Sequence, residues 1–413
     1  MNHDKKIFLN TFYQVAGKIL TSFLGLLVTA IITRYFSKNT FGEYSLAFTI
    51  ANFAFIFADF GLAALLIREI AAKRKDLFYI AESFTFRLFL SVGILIVTNI
   101  AVQFLPYSQT VKIGVAIASF GSFFLLLSSI IWAVFQAELR FDKLTIAQVS
   151  TSIVNFILVV FALLSKLAML DFIFFSSLST AIGFLLSLRF LPYKGKLLAV
   201  HIPSLKRIFL DVWPFGISLI VSTGYFKVDS LILSYYYNPA SSYDFSYYTI
   251  AYKAFEVMTV FGGFFVQALY PYICKIIDTK HFVQDFFRYS IYTCGIASIG
   301  FLLLFVFAKP IIFVLGPTTY APAIPSLQIL SLGAAITVLG GYFSSIAAAA
   351  NKQYRLLQFS VAAFILNVVI NLFIIPRYSF IGASWITVLT QGFIMITSLY
   401  IVIKKLRQNA NEY

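Results

Sequence analysis

The sequence predicts an all-α integral membrane protein with about 12 transmembrane helices. They form two six-helix lobes around a central cavity, with both termini cytoplasmic. Three observations carry this expectation. The chain has 413 residues, of which 60% are hydrophobic and only 11% charged, with a mean hydropathy of +0.90. A soluble chain of this length needs more charge to cover its surface. Twelve apolar runs of membrane-crossing length follow one another. Weak echoes of sequence recur six runs apart and in the same order.

The runs fall at 11–33, 42–66, 81–105, 113–135, 145–166, 170–191, 209–234, 245–270, 287–308, 326–350, 356–376 and 381–403. The first has a basic start and an apolar body too long for a signal peptide, so a retained helix is expected. The second belongs to the stretch Phe41–Lys75, which opens on Gly42-Glu43-Tyr44 and carries Asp59 inside its apolar part. It ends in Arg68, Glu69, Lys73, Arg74 and Lys75. Basic residues crowd one side of the membrane: Lys5, Lys6, the Arg68–Lys75 cluster, Arg140, Lys143, Lys194, Lys196, Lys206, Arg207, Lys275, Lys280, Lys352, Arg355, Lys404, Lys405 and Arg407. The excess over the other side is roughly three to one, which assigns that side to the cytoplasm. Tyr235, Tyr236, Tyr237, Tyr243, Tyr247 and Tyr248 read as an interfacial belt.

The repeat rests on several pairs. Gly42–Phe48 is echoed by Ser246–Tyr252, Phe8-Leu9-Asn10 by Phe209-Leu210-Asp211, and Lys143 and Asn155 by Arg355 and Asn367. Six is even, so the halves share one orientation and their pseudo-axis runs along the membrane normal. The basic loop Pro192–Arg207 joins lobes expected at 1–200 and 201–413.

Charges inside the runs need water, a substrate or one another, because each costs about 2.5–3.5 kcal/mol at a helix centre. Glu43, Glu82 and Arg87 lie near run ends and are expected to snorkel to the headgroups. Lys18, Asp59, Lys227, Asp229, Lys253 and Glu256 are interior candidates. Lys253 and Glu256 are three apart and can pair across a turn; Lys227 and Asp229 point to different faces and so to different partners. Lys18, Lys227 and Lys253 suit an anionic headgroup such as a phosphate or uronic acid. Gly61 and Pro214 are hinge candidates, with close helix packing the commoner role of a glycine such as Gly61.

Other chemistry is disfavoured. The net charge of +15 sits in short loops, not on the continuous stripe nucleic acid requires. Cys274 and Cys294 read as small buried or loop residues, and His3, His201 and His281 lack metal-ligand spacing, so no metal is expected. There is no G-x-x-x-x-G-K-[ST] loop, Asp-x-Asp pair, Gly-x-Ser-x-Gly or His-Glu-x-x-His. Lys309–Pro325 is too short for an outer catalytic domain. The expectation is therefore no enzyme and no cofactor.

Gly42–Ala47, Asp59-Phe60-Gly61-Leu62 with the basic loop after it, Pro214, and Tyr247–Lys253 running on to Pro271 together resemble the Wzx-like O-antigen and polysaccharide flippases. Those flippases belong to the multidrug/oligosaccharidyl-lipid/polysaccharide exporter superfamily, and the resemblance spans essentially the whole chain. It implies a V of two lobes working by alternating access in the bacterial cytoplasmic (inner) membrane. The implied cargo is an undecaprenyl-pyrophosphate-linked oligosaccharide for O-antigen, lipopolysaccharide or other surface polysaccharide. Lys18 and Lys253 fall where basic cavity residues recur in that superfamily. Commonly ion-coupled transport makes Asp59, Asp229 and Glu256 coupling candidates for a proton or sodium. By register Asp59 is matched in the second lobe by Gly263, which argues against two-fold symmetric coupling. Expected partners are the lipid-linked oligosaccharide, membrane lipids and a polysaccharide polymerase or glycosyltransferase, with a monomer as the assembly. The competing readings are a drug or cation antiporter of the same superfamily, a membrane polymerase or ligase, and a scaffold without transport.

Overall fold

Hydrocarbon offers no partner to a backbone N–H or C=O, so each crossing must satisfy its own groups along a helix. The computed structural model describes residues 3–71, 77–191, 197–279 and 282–412, excluding the side chains of 3–11, 71, 77–78, 202–205, 214–215, 218, 222 and 409–412. The basic residues Lys73, Arg74, Lys75, Lys194, Lys196 and Lys280, and His281, lie outside the described residues, as do the side chains of His3, Lys5 and Lys6.

The first half holds α1 (His3–Tyr35), α2 (Lys38–Asp59), α3 (Leu62–Ala71), α4 (Leu77–Gln103), α5 (Gln109–Ala137), α6 (Phe141–Leu164) and α7 (Met169–Phe190). Then come α8 (Ile202–Gly224), α9 (Val228–Tyr236), α10 (Asp244–Ile276), α11 (Phe282–Val306), α12 (Ala308–Leu315), a 3-10 turn at Thr318–Tyr320, α13 (Ala323–Ala349) and α14 (Gln353–Glu412). Among the described residues no strand is formed.

Ten of these helices are long and apolar enough to cross a membrane. The α14 run of 60 residues is broken at Ser379, where φ is 48° and ψ −139°, so it makes two crossings. Eleven crossings are thus present among the described residues, and α8 and α9 follow one another in the chain where the seventh apolar run, 209–234, is expected. The chain is a multi-pass membrane protein.

The fold divides into two compact units, Met1–Gly224 and Tyr225–Tyr413. This differs from the partition at 1–200 and 201–413 by α8, which packs on α2, α3 and α4.

In the first unit, small residues bring helices together, the usual basis of association where lipid is as apolar as leucine. Gly121 of α5 lets the Ser177 backbone of α7 approach until an added Cβ would sit 2.9 Å from its Cα. A core of Leu62, Leu65, Leu66, Tyr79, Ile80, Phe84 and the α5 residues Leu127–Phe135 closes one end. In the second unit, α13 joins the outgoing arm of α14 through Ser326–Ser384 at 2.6 Å and Ser344–Ser398 at 2.9 Å. Val266, Ile273, Phe286, Tyr342 and Val402 form its core.

The internal repeat extends to backbone detail. Arg140 N–H donates to Phe135 O at 2.8 Å, and Lys352 N–H to Ala347 O at 3.0 Å. Glu138 N–H donates to Val134 O at 3.0 Å, and Ala350 N–H to Ile346 O at 2.9 Å. Between them Leu139 and Asn351 both turn left-handed, with φ of 55° and 58°. This is a helix C-terminal turn that satisfies the last carbonyls. One constant spacing relates all these pairs and also Lys143/Arg355 and Asn155/Asn367, each pair at the same position within α6 and α14.

Several expectations are corrected. The helix expected unbroken through Phe41–Lys75 ends at Asp59, because Phe60 and Gly61 adopt φ of 44° and 72°. Gly61 therefore serves a bend rather than close packing. Gly takes this conformation without penalty; Phe60 is held in it by its ring, which lies over Gly216 and stacks on Phe209 of α8 at 6.0 Å. The seventh crossing breaks at 225–227, while α8 runs on through Pro214, whose side chain lies outside the described residues. Tyr235, Tyr236 and Tyr243 are exposed as a belt requires, but Tyr247 and Tyr248 are buried. Cys274 and Cys294 are exposed on α10 and α11.

A Cβ added at Gly216 would lie 2.6 Å from the Phe60 ring. Gly216→Ala is expected to cost about 1–3 kcal/mol, read as a lower thermal midpoint in detergent. Gly263→Ala, inside α10 with nothing within 4 Å of the added carbon, should hold or slightly raise the midpoint, since Ala favours a helix interior over Gly. Equal midpoints for the two variants would mean the ring moves aside freely.

Candidate functional site

In the second unit, charged groups gather where the seventh crossing breaks. α8 stops at Gly224 and α9 starts at Val228, so the chain at 225–227 leaves helical hydrogen bonding. The Phe226 carbonyl freed there accepts from Tyr252 Oη of α10 at 2.5 Å. Lys227 stands at the N-cap of α9. Its ammonium pairs with Glu256 of α10 and lies 5.1 Å from the centre of the Tyr252 ring. One turn before Glu256, Lys253 reaches the same carboxylate at 3.5 Å. Two ammonium groups thus share one carboxylate and the cluster carries a surplus positive charge. All three side chains are partly exposed, at 33%, 31% and 48% for Lys227, Glu256 and Lys253. Two cations around one carboxylate keep donors free for a second anion.

Asp229, two residues on, faces the other way and is fully buried. Its oxygens accept from Tyr248 Oη at 2.6 Å, Thr387 Oγ1 at 2.9 Å and the Ser230 N–H at 2.6 Å. The carboxylate also lies in the first turn of α9, where the helix dipole favours negative charge. Close by on α14, Asn371 donates to Asn367 at 2.9 Å and Asn367 to Thr390 at 2.8 Å. A buried polar chain therefore joins its two arms.

The first unit handles its charges differently. Arg87 of α4 has no exposed surface. It faces Asp59 at 2.8 Å and donates to Ala58 O at 2.7 Å. It thereby closes the C-terminal end of α2, where carbonyls lack helical partners and a cation suits the dipole. Glu82 is buried on α4, with His201 at 3.9 Å. Glu43 accepts from Ser108 Oγ at 2.6 Å, and that hydroxyl also caps α5. The expectation of snorkelling is thus overturned for Arg87, and Glu43 has a partner within the protein; Glu82 is buried, but its Oε1 accepts no hydrogen bond among the described residues. Lys18 is exposed on α1, next to Gly17, which packs on Thr145 of α6. Among the described residues no carboxylate pairs with Lys18.

Of the residues singled out in the sequence, Lys227, Lys253 and Glu256 come together, and Asp229 has its own neighbours. Asp59 finds Arg87. Tyr248, Tyr252 and Thr387 were not singled out as site residues. The tyrosines lie on the same helix as Lys253 and Glu256, a signal within reach of spacing arguments. Thr387 is 158 residues from Asp229, beyond any local pattern.

Comparisons with known proteins bear on the whole arrangement. A family model described as polysaccharide biosynthesis protein matches residues 7–277. The lipid II flippase MurJ, in an inward-closed conformation, superposes with a TM-score of 0.75 at 13% identity, over 97% of this chain and 90% of that one. A MOP superfamily transporter from Pyrococcus furiosus gives 0.67 at 14% identity, over 98% and 96%. The eukaryotic MATE transporter AtDTX14 gives 0.69 at 13% identity, over 98% of each chain. At these identities the likeness is one of fold. Among curated proteins no match was found.

Removing one partner of a buried ion pair costs about 3–5 kcal/mol, because the other charge is left behind. Asp59 is one-third exposed and keeps some hydration when left alone, so Arg87→Met is expected to lower stability by less than that, and adding Asp59→Leu should recover part of the loss. A double-mutant cycle on unfolding in detergent reads the coupling directly. Strictly additive losses would mean the two side chains act independently.

Proposed function

Because the chain belongs to the polysaccharide biosynthesis protein family and to the multidrug/oligosaccharidyl-lipid/polysaccharide exporter superfamily, we propose that it flips lipid-linked oligosaccharide across a membrane. The cargo in this reading is an undecaprenyl-pyrophosphate-linked repeat unit for O-antigen or related surface polysaccharide. The membrane is the bacterial cytoplasmic membrane, and transport proceeds by alternating access. The observation that carries the reading is the Lys227–Glu256–Lys253 cluster, a surplus of positive charge on membrane-spanning helices. A pyrophosphate entering there takes over ammonium donors from Glu256. Lys18, exposed and without a carboxylate partner among the described residues, is a second candidate cation for the cargo, in the first unit.

The three carboxylates have unequal prospects as coupling groups. Asp59 faces Arg87, and Glu256 is bracketed by two lysines. Asp229 is held by a phenol, a hydroxyl and a backbone N–H, none of which cancels its charge. It is the member of the set best suited to exchange a proton or cation during transport.

A drug or cation antiporter is the second reading, favoured by the likeness of fold to AtDTX14. The basic cluster weighs against it, since a cationic drug needs surplus negative charge.

Lys18→Ala or Lys253→Ala is expected to abolish surface polysaccharide in cells while protein level in the membrane stays normal. Normal polysaccharide from both variants would remove these lysines from the cargo site. Asp229→Asn should abolish the dependence of flipping on an imposed ion gradient in liposomes, whereas Asp59→Asn should keep it. Gradient dependence intact in Asp229→Asn would exclude it as the coupling group.

A further inference from the structure

The two copies of the repeat treat their helix-reversing turns differently. In the first unit the turn between α5 and α6 neutralises itself. Glu138 lies 3.6 Å from Arg140, and Asp142 lies 3.6 Å from Lys143. In the second unit the corresponding turn keeps both cations, as Lys352 and Arg355, and loses both carboxylates. Ala350 stands in place of Glu138 and Tyr354 in place of Asp142.

The arm of α14 after Ser379 adds more positive charge. At 1.5 Å per residue from the break at Ser379, Arg355 on one arm and Lys404 on the other each lie about 36–38 Å along. That distance exceeds the ~30 Å hydrocarbon layer and puts both at headgroup level. The Lys404 ammonium sits 4.5 Å from the centre of the Tyr400 ring. Lys352, Arg355, Lys404 and Arg407 are exposed. Among the described residues, Asp278 pairs with Lys405 at 2.7 Å and Asp285 accepts from Tyr272 at 2.8 Å, and no carboxylate forms an ion pair with Arg355 or Lys404. In the first unit Lys143 lies over Phe190 at 5.4 Å; here a tyrosine adds a hydroxyl that can donate to an anion.

We propose that Arg355, Tyr400 and Lys404, with Lys352 at the adjoining turn, form a binding site for the phosphate of an anionic phospholipid. The chemistry fits: the two arms of α14 are held together at Asn367–Thr390, a guanidinium on one and an ammonium on the other lie at one depth, and a phenol stands beside the ammonium. The occupant is a membrane lipid because the site lies on exposed helix surface at headgroup depth, where basic clusters between helices take such headgroups. The site does not depend on what the protein transports.

The test uses the full chain in nanodiscs of phosphatidylethanolamine mixed with phosphatidylglycerol, with no lipid-linked oligosaccharide present. Lipid retained after transfer to neutral detergent is counted by native mass spectrometry. Retention of phosphatidylglycerol over phosphatidylethanolamine is expected, falling roughly fivefold for each cation removed in Arg355→Gln and Lys404→Gln. Lys143→Gln, in the self-neutralised copy, should change nothing. Tyr400→Phe, which keeps the ring under Lys404, guards against misfolding and should show a partial loss. Equal retention by the wild type and the Arg355→Gln/Lys404→Gln variant overturns the site. Equal retention of the two lipids by the wild type overturns its anionic selectivity. Displacement by millimolar inorganic phosphate would make it a free-anion site and overturn the lipid assignment.

Discussion

A guanidinium with no exposed surface sits in α4, a helix that crosses hydrocarbon. Arg87 survives there because Asp59 supplies a counter-charge and Ala58 an acceptor. Both of those belong to the last turn of α2. The requirement behind this arrangement is general in the chain: a polar group inside the bilayer must find its partner within the protein. Where α2 stops, carbonyls are released, and Arg87 takes one of them. Where α8 stops, the Phe226 carbonyl is released, and Tyr252 takes it. Each break in a crossing is matched by a side chain from a neighbouring helix.

The same requirement distributes charge between the units. The first meets its obligations pairwise, with Arg87 on Asp59 and the Ser108 hydroxyl on Glu43. The second gathers two ammonium groups around one carboxylate and keeps another carboxylate hydrogen-bonded to a phenol, a hydroxyl and a backbone N–H. A closed pair resists a ligand, since the ligand must displace a well-placed partner in a medium of low dielectric. A shared carboxylate yields more easily, because each ammonium keeps donors to spare. The repeat therefore preserves the scaffold in both halves while chemistry has diverged.

Much of the architecture was legible in the sequence. Composition and run length gave the crossings, since hydrocarbon thickness dictates both. The echoes at Lys143/Arg355 and Asn155/Asn367 matched a true backbone correspondence because the turn before them is conserved in geometry. The breaks were not legible. Phenylalanine carries no expectation of positive φ, and Phe60 adopts it only because Phe209 and Gly216 lie far along the chain. Pro214 drew attention as a hinge, yet the seventh crossing breaks ten residues or so later, where no proline stands. Of the site, the pairing of Lys253 with Glu256 followed from spacing on one helix. The apolar run that contains Arg87 starts at residue 81, while α4 begins at Leu77 and sets the guanidinium deeper than the run's edge implies. Thr387 and Tyr248 join Asp229 through tertiary packing, which no local pattern reports.

The turns at Leu139 and Asn351 are three residues long, too short to separate the helices they join. α5 with α6, and α13 with the first arm of α14, are therefore helical hairpins from the moment both helices exist. Such a pair enters a bilayer from one side as a single body, because neither helix can lag without dragging the other's end across. The arginine and lysine at each tip resist passage through the hydrocarbon, so each tip favours the face from which its hairpin enters. Two points along the chain thus reset its direction during insertion, one in each half. An error in threading an earlier helix need not propagate past them.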